Sequence, residues 1–239
     1  MNYEELDFQK TPIGDLMLRR RRLIQLKGLE IYEIKLGEAF LMTSLFHEAE
    51  HMLSKLGLAK LEKENLEIVI GGLGLGYTAV SALEDPRIAS LTVIEYLQAV
   101  IDWHEKSMVP LGPELMNDPR CQLVQGDFFA LARDLARGFD PMIPGKKYDA
   151  VLLDIDHTPT NVLYQTNTRF YTETGLTELT GHLKPGGVFA LWADGFPEDE
   201  ITSRLEKVFG QATSHTIEFK NPLTGGTSEG AVYVAQVVK

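Results

Sequence analysis

Two aspartates close an apolar run in Val151-Leu152-Leu153-Asp154-Ile155-Asp156-His157-Thr158-Pro159. Strand residues alternate between faces, so Asp154 and Asp156 share a face only while the strand continues; a turn beginning near 156 parts them. Paired carboxylates suit an amine substrate. An alkyl ammonium of pKa ~10.4 is neutral in roughly one molecule in 2,500 at pH 7, a cost of about 4.6 kcal/mol before its nitrogen can attack. A carboxylate both binds the cation and accepts its proton. Asp154 and Asp156 are therefore the catalytic candidates, with capping or loop-start roles as their structural alternative.

A second group of residues is suited to holding a nucleoside. Leu66-Glu67-Ile68-Val69-Ile70 is an apolar, β-branched run that feeds directly into Gly71-Gly72-Leu73-Gly74-Leu75-Gly76. Strand, glycine turn and helix in succession present backbone N–H groups to a nucleotide-like ligand. Gly72, Gly74 and Gly76 are spaced G-x-G-x-G, tighter than the G-x-G-x-x-G of dinucleotide binders. The spacing points to an adenosyl ligand without a pyrophosphate, S-adenosylmethionine or a relative of it. Glu95 ends the next strand, Leu91-Thr92-Val93-Ile94-Glu95, about 20 residues further on, where an acid accepts hydrogen bonds from ribose hydroxyls. Asp127, in Val124-Gln125-Gly126-Asp127, has two readings. It is an acceptor for an adenine amino group, or the N-cap of a following helix.

His47-Glu48-Ala49-Glu50-His51 matches the zinc-protease pattern H-E-x-x-H literally. On a helix His47 and His51 share a face, with Glu48 as general base. The segment leads within about fifteen residues into the glycine-loop strand, a setting foreign to zinc proteases, and the third histidine of metzincins is absent. No metal is expected. Arg19-Arg20-Arg21-Arg22 is the one basic run. On a strand it sends two residues to each face, and in an acidic chain it reads as a solvated or interface strand rather than a nucleic-acid site.

These residues need elements to position them. Strands are predicted at 67–71, 91–95, 121–125, 148–154 and 187–193, alternating with helices at 76–84, 97–107, 128–137 and 168–183. Pro185-Gly186-Gly187 reads as a stop before the last of these strands. A helix at 198–209 follows, then an antiparallel hairpin of His215 to Phe219 and Ala231 to Val237. Ahead of them lie short strands at 16–18, 23–26 and 29–34 and a helix at 44–57 with Leu45, Ala49, Met52, Leu53 and Leu56 on one face. The pattern is that of a Rossmann-like methyltransferase fold: a mostly parallel seven-stranded α/β sheet closed by a C-terminal antiparallel hairpin. A β-rich N-terminal extension, 1–43, precedes the adenosyl-ligand-binding domain, 44–239. The chain is 239 residues long, 44% hydrophobic and 24% charged, with a net charge of −11. That charge disfavours nucleic acid as the main partner and suits a cationic ligand. No apolar run approaches a membrane span. The acidic N-terminus is unlike a signal peptide and Cys121 is the single cysteine, so a cytoplasmic location is expected.

Together these segments resemble the polyamine aminopropyltransferase (spermidine synthase) family. The matching pieces are Phe46-His47-Glu48 against Y-H-E, Val69-Ile70-Gly71-Gly72…Gly76 against V-I-G-G-G-D-G-G, and Val93-Ile94-Glu95 against V-E-I/L-D. Gly126-Asp127 matches the family's G-D, Leu153-Asp154 the start of its catalytic D-S-x-D-P, Arg169-Phe170-Tyr171 its E-F-Y, and Leu183-Lys184-Pro185-Gly186-Gly187 its L-x-P-x-G. The resemblance implies a donor adenosyl site at Gly72, Gly74, Gly76, Glu95 and Asp127, with His47 near the donor, Asp154 as the amine base, and a homodimer. The departures thin out the recognition of ammonium arms. Gly74 replaces the Asp of G-G-G-D-G-G, and His157 replaces the second Asp of D-S-x-D-P, with Asp156 one residue earlier. Phe46 lacks the tyrosine hydroxyl, no glutamine lies between Gln25 and Gln98, and Trp192 stands where the family often has Gln.

The expected activity is transfer of an aminopropyl group from decarboxylated S-adenosylmethionine to a small-molecule amine, without metal, nucleic acid or membrane. The alternative is a small-molecule methyltransferase using S-adenosylmethionine, which Gly74 favours because removing an acid relieves repulsion of the donor's carboxylate. A catalytically inactive adenosyl-binding protein is the non-enzyme alternative.

Overall fold

A computed structural model describes residues 3–238. The first four strands, β1 (Tyr3–Thr11), β2 (Gly14–Leu23), β3 (Leu29–Leu36) and β4 (Ala39–Thr43), form an antiparallel sheet in sequential order. In β2 the alternation of a half-buried strand is plain: Leu16 and Leu18 are fully buried, while the arginines after them stay accessible. The arginine run is a ladder of ion pairs. Arg19 and Arg21 reach the buried Glu33 of β3, and Arg20 lies 2.6 Å from Glu4 of β1. Two strands here, β1 and β4, are absent from the sequence reading. Residues of β1 are mostly exposed, without the apolar alternation that marks a strand. Residues 24–26, expected in a strand, form a single 3-10 turn.

The second sheet has seven strands. Its members are β5 (Leu66–Gly71), β6 (Ile88–Glu95), β7 (Cys121–Gln125), β8 (Tyr148–Leu153), β9 (Leu183–Asp194), β10 (Gly210–Asn221) and β11 (Gly226–Val237). Their order is β10-β11-β9-β8-β5-β6-β7, with β5, β6, β7, β8 and β9 pairing in parallel and β11 antiparallel to both neighbours. β5 and β8 hold the centre because both faces of each are apolar: Ile68, Val69, Ile70, Val151, Leu152 and Leu153 are fully buried. The helices are α1 (Glu48–Ala59), α2 (Tyr77–Leu83), α3 (Gln98–Glu105), α4 (Gly112–Asn117), α5 (Phe128–Arg133), α6 (Glu173–Thr180) and α7 (Asp199–Phe209).

Three details differ from the sequence reading. The predicted helix at 168–183 is a 3-10 turn, 165–169, followed by α6, which starts where Thr172 Oγ1 accepts from Gly175 N at 3.2 Å. Pro185 and Gly186 do not stop the chain before the strand; they form a bulge inside β9, where the register against β8 jumps from Leu183 to Val188. The short α4 is absent from the sequence reading, six residues being too few for periodicity to show. No helix of the described residues is long and apolar enough to cross a membrane.

The two sheets share one core. Leu16, Leu18, Ile34 and Leu36 of the first sheet cluster with Leu73 and Leu75 of the glycine loop and with Leu97 and Val100. The N-terminal sheet is thereby fixed against the loop that the sequence marks as the ligand site. On the other side α1 packs so closely on the central strands that Gly57 has no room for a side chain. A Cβ there would lie 2.8 Å from Leu152 Cδ2 and 3.1 Å from Ala190 Cβ. Gly57→Val is expected to cost about 1–3 kcal/mol through overpacking. In a domain of this size each kcal/mol lowers Tm by roughly 2–4 °C, so calorimetry gives the check.

Candidate functional site

The glycine loop lies between β5 and α2, and backbone contacts alone shape its start. Gly72 has φ +94°, and a Cβ on it would fall 2.0 Å from the carbonyl oxygen of Asp154. Only glycine fits this approach. Gly74 has φ +49°, and its Cβ position lies 2.4 Å from Met42 Sδ of β4. The same sulfur accepts from Leu75 N at 3.0 Å. The N-terminal sheet thus seats a thioether on the loop. Glu95 braces the other side: Oε2 accepts from Leu73 N at 3.0 Å and Oε1 from Leu97 N at 2.8 Å. Burial raises the Glu95 carboxyl above the usual range, an effect these N–H groups partly offset.

Beside the loop opens a cavity of about 520 Å³. Its wall contains Gly72, Gly74, Glu95, Asp127 and Asp154, which the sequence reading places at the site. Asp127 is the N-cap of α5, where Oδ1 accepts from Ala130 N at 3.0 Å, and it also lines the cavity. Asp154 follows β8, and its backbone N–H bonds Gly71 O at 2.8 Å. Its Oδ2 accepts from Thr78 Oγ1 at 2.6 Å. Six carboxylates line the cavity (Glu50, Glu95, Asp127, Asp154, Asp194 and Glu229), with no Lys or Arg on the wall among the described residues.

The other three candidates lie off the wall. Gly76, φ +96°, precedes α2 and packs against Leu115 and His104, whose Nε2 is 3.0 Å from Gly74 O. His47 stacks on the Tyr77 ring, centroids 4.3 Å apart, and Tyr77 is the one that faces the cavity. The His51 ring turns to Ser81 Oγ at 2.8 Å, so the two histidines have separate partners. Asp156 is only 2% exposed and is occupied internally. It accepts from Leu163 N at 2.7 Å, Asn167 Nδ2 at 3.0 Å and Tyr171 Oη at 2.8 Å. A turn after Asp154 sends it to the opposite side, where it pins the loop carrying Leu163, Tyr164 and Asn167 along the cavity.

The second carboxylate near Asp154 is instead Glu50, in the first turn of α1. Burial, then the Asp154 charge, raises the Glu50 carboxyl to about 8, and burial raises Asp154 to about 6. The sequence carried a signal for it. Glu50 falls on the stripe of Leu53, Ser54 and Gly57, all buried, which makes it a charge on the packed face of the helix. Met42, Tyr77, Asp194 and Glu229 had no comparable mark.

The strand order and the glycine loop ahead of α2 define a methyltransferase-like α/β fold. A family model for the spermine/spermidine synthase domain matches residues 46–219, and the chain belongs to that family, whose members are transferases. Putrescine N-methyltransferase 4 of Nicotiana tabacum is 31% identical over 103 residues, 43% of this chain and 24% of the relative. Putrescine N-methyltransferase 1 of Nicotiana attenuata is 30% identical over the same share of this chain. The chain thus spans about a quarter of the length of these curated relatives. A spermidine synthase in complex with the transition-state analogue AdoDATO superposes with TM-score 0.73 at 17% identity, covering 97% of this chain and 73% of that one. The spermidine synthase of Thermotoga maritima gives 0.72 at 16%, covering 97% and 72%. These two share the fold.

The two aspartates of the opening motif are expected to respond oppositely to mutation. Asp156→Ala leaves an N–H, an amide and a hydroxyl unpaired, each worth about 1–3 kcal/mol when buried, so Tm falls steeply. Asp154 holds its proton in the folded state to higher pH than in the unfolded chain. Its contribution to stability is therefore present at low pH and is lost as pH rises from the ordinary aspartate value toward about 6. Asp154→Asn keeps an acceptor for Thr78 and does not titrate. It should match the wild type in Tm near pH 4 and exceed it near pH 7.5 in thermal melts.

Proposed function

We propose that the protein transfers an aminopropyl group from decarboxylated S-adenosylmethionine to an amine. The observation that carries this reading is the cavity's charge: six carboxylates and no Lys or Arg among the described residues of its wall. A decarboxylated donor brings a sulfonium and an ammonium, and the acceptor brings another ammonium, so every charged part of both substrates meets the opposite sign. A donor that keeps its carboxylate has no cationic side chain to meet it there. The glycine loop accommodates an adenosyl group because Gly72 and Gly74 present backbone without side chains. Both Glu95 oxygens already accept one N–H each, which leaves lone pairs for ribose hydroxyls. Asp127 stands where an adenine amino group can donate.

In this reading Asp154 takes a proton from the acceptor's ammonium. The freed nitrogen lone pair forms a bond to the carbon beside sulfur as the carbon–sulfur bond breaks. Sulfur keeps that electron pair, and methylthioadenosine leaves as a neutral thioether. The product nitrogen is a secondary ammonium, and the proton on Asp154 passes to solvent. A base with a raised pKa is ionised only toward neutral pH in the free enzyme, so kcat/KM rises with pH through about 6.

Methyl transfer is the second reading, favoured by the putrescine N-methyltransferases among the relatives and by glycine at position 74. Product analysis separates the two. Decarboxylated donor with a diamine should yield methylthioadenosine and a lengthened amine; S-adenosylhomocysteine from the ordinary donor would establish methyl transfer instead. Methylthioadenosine alone should stabilise the protein by roughly 2.7 kcal/mol at 100 times its Kd. Absence of a thermal shift at millimolar ligand would remove the adenosyl site altogether. Asp154→Asn should lose about 10²–10⁴-fold in kcat with methylthioadenosine affinity unchanged.

A further inference from the structure

Glu95 and Asp127 accept backbone N–H groups, and Asp154 accepts the Thr78 hydroxyl. Glu50, Asp194 and Glu229 are the cavity carboxylates that no side chain of the described residues hydrogen-bonds or ion-pairs, and of these Glu50 is the one on which the Asp154 charge acts. Glu50 sits in the first turn of α1 and lines the cavity with Tyr77 of α2 and Asp154, both of which interact with its charge. An ionised, half-buried carboxylate facing another carboxylate is costly unless a cation joins them. The nearby wall is suited to a cation, since it includes the rings of Phe46, Phe219 and Trp192, the first two with centroids 5.6 Å apart. Position 74 offers no side chain to a ligand's ammonium, and Met42 Sδ occupies the space beside it.

We propose that Glu50 is a specificity-determining residue that, facing Asp154 across the cavity, clamps a primary ammonium between the two carboxylates. This rests on the amine-transfer reading and extends it to a residue on α1. Two substrates carry that group, the amine acceptor and the aminopropyl arm of the donor, and the chemistry of the clamp is the same for both. Before the ammonium arrives, the two carboxylates share a proton. The arriving cation is already charged, so its binding drives that proton into solvent. The groups that face Glu50 are Asp154 after β8, Tyr77 on α2 and Glu48 on its own helix, and the other ionisable groups of the wall nearest the strand ends are His157, Asp194 and Glu229. None of them is a lysine or arginine that would hold Glu50 ionised in the empty site.

Wild type, Glu50→Gln and Glu50→Asp are compared by steady-state kinetics with each substrate varied in turn, and by calorimetry with 1,4-diaminobutane, decarboxylated S-adenosylmethionine and methylthioadenosine. Glu50→Gln should raise KM at least tenfold for the substrate whose ammonium is clamped, with Glu50→Asp recovering part of the loss. A rise confined to the amine identifies the acceptor, and one confined to the donor identifies its arm. Methylthioadenosine has no ammonium, so its affinity should be unchanged; a parallel loss there would mean a structural role and overturn the clamp. Calorimetry at pH 7.5 in two buffers of different ionisation enthalpy should show proton release on ammonium binding in the wild type and far less in Glu50→Gln. Equal KM values and equal proton release in the two proteins overturn the proposal while leaving amine transfer intact. If the wild type binds either ammonium ligand but turns over neither donor, the transfer reading fails. The clamp then stands or falls on whether Glu50→Gln weakens that binding. A wild type that binds no ammonium ligand overturns both.

Discussion

The structure depends on one place where two strands meet without side chains. Gly72 passes the carbonyl of Asp154 at a distance that excludes even a methyl group, while Asp154 N donates to Gly71 O and Gly72 N donates to Ile94 O. This junction ties the ends of β5, β6 and β8 together. It sets the glycine loop and the Asp154 carboxylate on the same cavity and leaves neither free to shift alone. Glu95, at the end of β6, then holds the loop's far side through Leu73. The arrangement needs glycine at Gly72, where backbone would collide, and at Gly71, where a Cβ would lie 2.7 Å from the Phe128 ring and 2.9 Å from Leu153 Cδ1.

The cavity that results is electrostatically one-sided. Burial raises the carboxyls of Glu50, Glu95 and Asp154, with the Asp154 charge adding to the effect at Glu50, so keeping these groups ionised costs stability. The rest of the fold compensates in places remote from the cavity. Lys184 pairs with both Glu67 and Asp149 at the opposite end of the sheet, and the arginines of β2 neutralise Glu33 and Glu4. These remote charges are paired with Lys or Arg, whereas the cavity carboxylates meet neither on the wall among the described residues. That division is a better marker of the site than net charge, which the sequence alone supplies.

Much of this was legible beforehand. The β-branched run into glycines, the acid closing the next strand and the aspartate after β8 all follow from local pattern, and all three reach the cavity. The family resemblance drawn from those segments is borne out by the match over 46–219. What sequence could not decide was where the chain turns after Asp154. The turn depends on Leu163, Asn167 and Tyr171 converging on Asp156, three partners from 7 to 15 residues away. Glu50 carried a local signal, its place on the packed face of α1, but its pairing with Asp154 did not show, because Asp154 follows β8 more than a hundred residues on. β1 and β4 escaped because strands that are largely exposed lack the alternation that reveals a strand.

Met42 and Gly74 act as one packing unit. The thioether fills the volume that a side chain at 74 would need and also accepts the Leu75 N–H. An acid introduced at 74 alone collides with sulfur, and a smaller residue at 42 alone strands a backbone donor and opens a void. The contact between the N-terminal sheet and the glycine loop therefore makes the space at position 74 depend on a strand that lies outside the α/β sheet.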